Sequence, residues 1–113
     1  MNILIVDDAK DMRFIISSIV KKLGHTFTEA VDGEDAWDKL QADRFDAILC
    51  DWQMPRLDGI GLCKRIREHT FPNYIYIILL TGLSGKKNIL DGINAGADGF
   101  ASKPVNLDEI RIR

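Results

Sequence analysis

Apolar runs alternate with amphipathic stretches along the whole chain. Residues 2–6, 46–50 and 74–80 are nearly continuous apolar runs, the pattern of strands covered on both faces. Residues 26–30 alternate apolar with polar positions and read as an edge strand, and residues 99–102 form a last short one. Helical patterns fill the gaps. Met12, Ile15, Ile16, Ile19, Val20 and Leu23 recur at helical spacing, and Gly24 follows as a stop. Asp32 stands where it can cap a helix carrying Ala36, Trp37 and Leu40. Asp58-Gly59 opens another, with Ile60, Cys63 and Ile66 expected inward. Ser84 can cap a helix bearing Ile89, Leu90 and Ile93, closed by Gly96. Asn106 and Glu109 have the spacing of a capping box for a final helix.

Five β-α repeats predict an α/β domain, a parallel sheet with helices on both faces, spanning residues 1–113 as one unit. After Leu107 and Ile110 the chain reaches Arg113 only about two turns into the fifth helix. The spacing therefore predicts a shortened helix 5, with further chain expected beyond it.

Composition narrows the function classes. With 46% hydrophobic residues and a net charge of −2, the chain lacks the basic footprint of a nucleic-acid binder. Cys50 and Cys63 form no metal-ligand or redox spacing, which favours a reduced, cytoplasmic setting. The first apolar run meets two aspartates by residue 8, unlike a signal peptide. The longest apolar run, residues 74–80, is far short of the ~20 residues a membrane helix needs. No membrane association is expected.

The chemistry concentrates at strand ends. Asp7 and Asp8 follow Ile3-Leu4-Ile5-Val6, Asp51 follows Ala47-Ile48-Leu49-Cys50, and Lys103 precedes Pro104 after the last strand. The carboxyl ends of parallel strands share one edge of the sheet, where ligands bind. Three carboxylates and an ammonium would meet there, able to hold a divalent cation and present one aspartate to a phosphoryl donor. An isolated aspartate after a strand ordinarily caps a turn; the company of Asp7 and Asp8 favours chemistry. Adjacent carboxylates repel unless a cation relieves them. Oxygen ligands suit magnesium, which keeps several waters and uses only one or two carboxylates. Asp11 reads as an ordinary acidic residue at a helix start. His25, His69, Lys21-Lys22 and Lys86-Lys87 carry no catalytic spacing.

The motifs Val6-Asp7-Asp8, Asp51-Trp52-Gln53-Met54-Pro55, Asp58-Gly59, Leu80-Thr81-Gly82, Gly96-Ala97-Asp98-Gly99-Phe100 and Lys103-Pro104 occur in this order over essentially the full length. Taken together, they make the chain resemble the receiver domains of two-component response regulators. The resemblance implies the flavodoxin-like doubly wound sheet, order 2-1-3-4-5. It implies that Asp51 accepts a phosphoryl group and that Asp8 and Asp51 ligate Mg2+ (or Mn2+) directly. The Gln53 backbone carbonyl would complete the set, with Asp7 acting largely through water. Lys103, aimed by a cis bond to Pro104, would meet the phosphoryl oxygens. Thr81 and Phe100 would act as the switch, and Gln53 and Gly82 would shape water access. Implied partners are a histidine kinase or histidine phosphotransfer protein, and an output domain or protein on the face of helix 4, strand 5 and helix 5. A phosphorylation-dependent homodimer is a further implied state. Trp52 lies beside the site as a reporter or simply as loop cover.

Three alternatives compete with this reading. A magnesium-dependent phosphohydrolase with an aspartyl nucleophile usually wants a second carboxylate two residues on, where Gln53 stands. A flavin-binding relative would need a small, neutral phosphate loop after the first strand, and Asp-Asp-Ala-Lys-Asp would repel a phosphate. A binding-only pseudo-receiver would lack Asp51, Asp8 or Lys103, and all three are present. The expected function is a switch that is phosphorylated and dephosphorylated on itself, without turnover of a separate substrate.

Overall fold

A computed structural model describes residues 1–52, 54, 56–81 and 86–102, with only the backbone considered at 86–89 and 102. The elements are β1 (Asn2–Val6), α1 (Lys10–Lys22), β2 (Thr26–Ala30), α2 (Gly33–Ala42) and β3 (Ala47–Asp51). They continue with α3 (Gly59–Glu68), β4 (Tyr76–Thr81), α4 (Lys86–Ala95) and β5 (Gly99–Ser102). All strands pair in parallel, in the order β2-β1-β3-β4-β5. The anticipated order and the edge position of β2 are both observed. The Ser84 cap and the final helix fall outside the described residues, as do Gln53, Gly82, Lys103 and Pro104.

Side-chain alternation along each strand builds two cores. Leu4, Val6, Ile48, Cys50, Ile77 and Leu79 face α2, α3 and α4. Ile3, Ile5, Leu49, Ile78 and Leu80 face the other way, where Ile16 and Val20 of α1 meet them. Every residue of β3 is buried, as befits the central strand. Asp32 and Asp58 cap α2 and α3, accepting from the backbone nitrogens of Asp35 and Gly61 at 2.8 Å. Gly24 and Gly96 close α1 and α4 with positive φ, 86° and 105°, where a side chain would be strained.

The structure corrects the bounds of two strands and shows which faces of two helices turn inward. β3 is shifted by one residue at both ends from 46–50, to Ala47–Asp51, so Asp51 is the last strand residue rather than the residue after the strand. β4 starts two residues later than 74–80 and includes Thr81; the Pro72-Asn73 bend delays it, with Asn73 Nδ2 donating to the Phe45 carbonyl at 2.9 Å. On α1, Ile15 and Leu23 stay on the outer side while Ser17 is buried. On α4, Leu90 and Ile93 are 56% and 53% exposed, and among the described side chains Gly92 and Ala95 are the buried ones.

Candidate functional site

Strand register brings the acidic residues together. Val6 pairs with Cys50, and Asp51 pairs with Leu80. Asp7 therefore emerges level with Asp51, and Thr81 lies one step beyond on β4, opposite Ser102. One carboxylate oxygen from each of Asp7, Asp8 and Asp51 lies within 4.8 Å of the others. Asp7 is fully buried, Asp51 and Thr81 are nearly so, and Asp8 is exposed.

The local chain fixes Asp7 from two directions. Its Oδ1 accepts from the Ala9 nitrogen at 2.9 Å, turning the chain into α1. Its carbonyl oxygen accepts from Arg13 Nη1 at 2.7 Å, and Arg13 Nε pairs with Glu29 Oε1 at 3.2 Å. Arg13 escaped the sequence reading because nothing in its spacing from Asp7 marks it out. Three carboxylates this close are a chemical statement. Two negative charges about 5 Å apart repel by ~3 kcal/mol at an effective dielectric near 20. A compact, hard-oxygen donor set at the mouth of a sheet relieves that repulsion by taking a divalent cation, and these residues fit one.

The loop after Asp51 is tied on both sides. The Trp52 nitrogen donates to the Leu80 carbonyl at 2.9 Å, prolonging the ladder, and the Trp52 carbonyl accepts from Gly59 at 3.0 Å. Arg56 has a left-handed backbone, φ 67°, uncommon for a non-glycine residue. Its guanidinium sits on the Asp32 carboxylate, with Nε at 2.9 Å from Oδ2. The hydrogen bond from the Asp35 backbone, aided by Arg56 and opposed by burial, holds Asp32 below the usual carboxylate range. The start of α2 is thereby fastened to the loop beside the site. No sequence signal pairs residues 32 and 56.

On the far side of the loop, Trp52 is buried and packs against the half-buried Phe100, ring centroids 6.1 Å apart at 32°. Of the expected site residues, Asp7, Asp8, Asp51 and Thr81 gather at one edge, and Phe100 flanks them through Trp52. Burial pushes the Cys63 thiol up to about 11 and the Cys50 thiol well above its ordinary value, so both stay neutral. His69 packs on Trp37 and Phe71, centroids 5.4 Å and 4.6 Å away, at the opposite end of α3 from Asp58.

The profile of the response regulator receiver domain family matches residues 3–113. The chain belongs to that family. The receiver domain is 36% identical over 106 residues to the chemotaxis protein CheY1 of Helicobacter pylori, covering 92% of this chain and 86% of that protein. It is 36% identical over 112 residues to CheY of Pseudomonas aeruginosa, covering 98% and 90%. A gliding motility regulatory protein of Myxococcus xanthus is 39% identical over 103 residues; they cover 91% of this chain but 13% of that longer protein. Among solved structures, CheY4 of Vibrio cholerae superimposes with a TM-score of 0.89 at 30% identity, covering 96% of this chain and 91% of its own. The receiver domain of a Pseudomonas aeruginosa sensor histidine kinase, with a magnesium ion in its active site cleft, does so at 0.86 and 29% identity, covering 96% and 89%. Receiver domains are signalling switches of two-component systems. Among the described residues, no helix is long and apolar enough to cross a membrane.

Proposed function

We propose that this receiver domain is the phosphoacceptor of a two-component phosphorelay and that Asp51 takes the phosphoryl group. The supporting observation is the convergence of Asp7, Asp8 and Asp51 within 4.8 Å at the carboxyl edge of the sheet, with Thr81 on the neighbouring strand. An Asp51 carboxylate oxygen attacks the phosphorus of a phosphohistidine. A P–O bond forms, the P–N bond breaks, and the bonding electrons leave with the imidazole nitrogen. Asp8 and Asp51 would hold magnesium, with the Gln53 carbonyl as a third ligand and Asp7 acting through water. When bound, the ion supplies positive charge to the phosphoryl oxygens. Lys103 supplies a second positive charge and Thr81 a hydroxyl donor to the same oxygens. The magnesium-bearing cleft of the kinase-attached receiver supports this assignment by analogy.

The switch follows from charge on Asp51. Thr81 is drawn toward the phosphoryl group, Phe100 repacks, and the face of α4, β5 and the final helix changes its partner affinity. Leu90 and Ile93, exposed on α4, give that face an apolar surface. Phe14 and Ile15, exposed on α1 just after the acidic pair, offer a phosphodonor kinase or phosphotransfer protein a place to rest. Return of the switch is hydrolysis of the acyl phosphate within the same site, so no separate substrate is turned over.

Intact mass after incubation with magnesium and acetyl phosphate tests the proposal. The expected result is a base-labile gain of one phosphoryl group that requires magnesium and is absent from Asp51→Asn. Labelling that persists in Asp51→Asn would overturn the assignment.

A further inference from the structure

Gly92 lies inside α4, buried, at a position where helix propensity favours almost any other residue. A Cβ at this position would stand 2.4 Å from Phe100 Cε1, 2.7 Å from Phe100 Cζ and 3.2 Å from Trp52 Cη2. The Phe100 ring thus occupies the space of the missing side chain, wedged between the α4 backbone and the indole that follows Asp51. Leu90 and Ile93 are exposed on either side of it, and Ala95 is buried one turn on. Phe100 is fixed from its own strand by pairing with Leu79 on β4, two residues before Thr81.

We propose that Gly92 is a positioning residue, the seat that holds the Phe100 ring against Trp52 and so makes α4, β5 and the strand bearing Asp51 move as one unit. The structure shows the ring seated over Gly92, and a Cβ at 92 would stand 2.4 Å from it, so any side chain there must displace the ring. Seated, the ring passes any displacement of the Asp51-Trp52 segment directly to the middle of α4, in parallel with a route through Thr81. The functional half of this inference rests on Asp51 as phosphoacceptor; the seat itself does not.

The test uses Trp37→Phe as background, leaving Trp52 the single indole. Gly92→Ala, Phe100→Ala and the double variant are compared by urea unfolding and by tryptophan emission. With the seat real, Gly92→Ala shifts Trp52 emission toward that of solvent-exposed indole. Its effect on the urea midpoint is more favourable in the Phe100→Ala background than with Phe100 in place, because removing the ring leaves only the gain in helix propensity. Equal effects in both backgrounds with unchanged emission would overturn the seat. A second arm adds magnesium and acetyl phosphate and reads mass and emission together. Gly92→Ala is expected to take up phosphoryl as its parent does while losing at least half of the parent's emission change. Retention of the full change would overturn the coupling. If the parent gains no phosphoryl group, the phosphoacceptor reading fails while the unfolding cycle still decides the seat.

Discussion

Asp32 shows how much one carboxylate does near this site. Its Oδ1 caps α2 by accepting from the Asp35 nitrogen at 2.8 Å, and its Oδ2 holds the Arg56 guanidinium. Both contacts favour the ionised form and outweigh burial, so the folded carboxyl titrates below its unfolded value. A depressed carboxyl stabilises the fold above the unfolded pKa, about 3.9, and that stabilisation disappears as pH falls through the folded value. NMR titration of the Asp32 carboxyl in Arg56→Gln should show its midpoint moving up toward the ordinary range; an unchanged midpoint would mean that Arg56 contributes nothing. Asp32→Ala should cost about 1 kcal/mol in urea unfolding, the usual value of an N-cap, and Asp32→Asn distinctly less because asparagine also caps. Sequence placed the cap correctly, since its signal is local. It could not show Arg56, which reaches Asp32 across 24 positions of chain.

Among the elements, the strands were the most legible, because a sheet covered on both faces imposes uninterrupted apolar runs. The carboxylate cluster was legible for the same reason: parallel strands carry Asp7 and Asp51 to one edge whatever the helices do. The one-residue shift of β3 was invisible, since an aspartate closing a strand looks like a turn residue until its partner, Leu80, is known. For α4 the sequence left the inward face open. Leu90 and Ile93 sit at helical spacing, but periodicity says only that a face exists, not which way it turns. Among the described side chains of α4 the buried ones are Gly92 and Ala95, and Phe100 fills the space a larger residue at 92 would take. A direct consequence can be measured. Leu90→Gln with Ile93→Gln should leave the unfolding free energy within about 0.5 kcal/mol of the parent, as for other exposed substitutions. A loss of more than about 2 kcal/mol would mean that these residues are buried by the folded chain itself.

For the molecule as a whole, the acidic edge would tie stability to the cation proposed to bind there. Asp7 and Asp51 are buried beside Asp8 in the folded state, whereas an unfolded chain holds its carboxylates apart. Anything that binds the folded cluster and not the unfolded chain shifts the unfolding equilibrium by RT ln(1 + [L]/Kd), about 2.7 kcal/mol at one hundred times Kd. For a domain of this size that is a rise in Tm on the order of 10 °C. Magnesium titrated into the receiver domain should therefore raise Tm progressively with the logarithm of its concentration. In Asp8→Ala the rise should be much reduced at every concentration, since a carboxylate donor is gone. Asp51→Asn should start from a higher Tm without magnesium, because one of the crowded charges has been removed, and gain less on adding it. Both variants lack one of the crowded charges, so screening by salt also helps them less, and the control that separates ligation from screening is sodium chloride at equal ionic strength. A parent Tm that responds to magnesium no more than to an equal ionic strength of sodium chloride would remove the cation from this site.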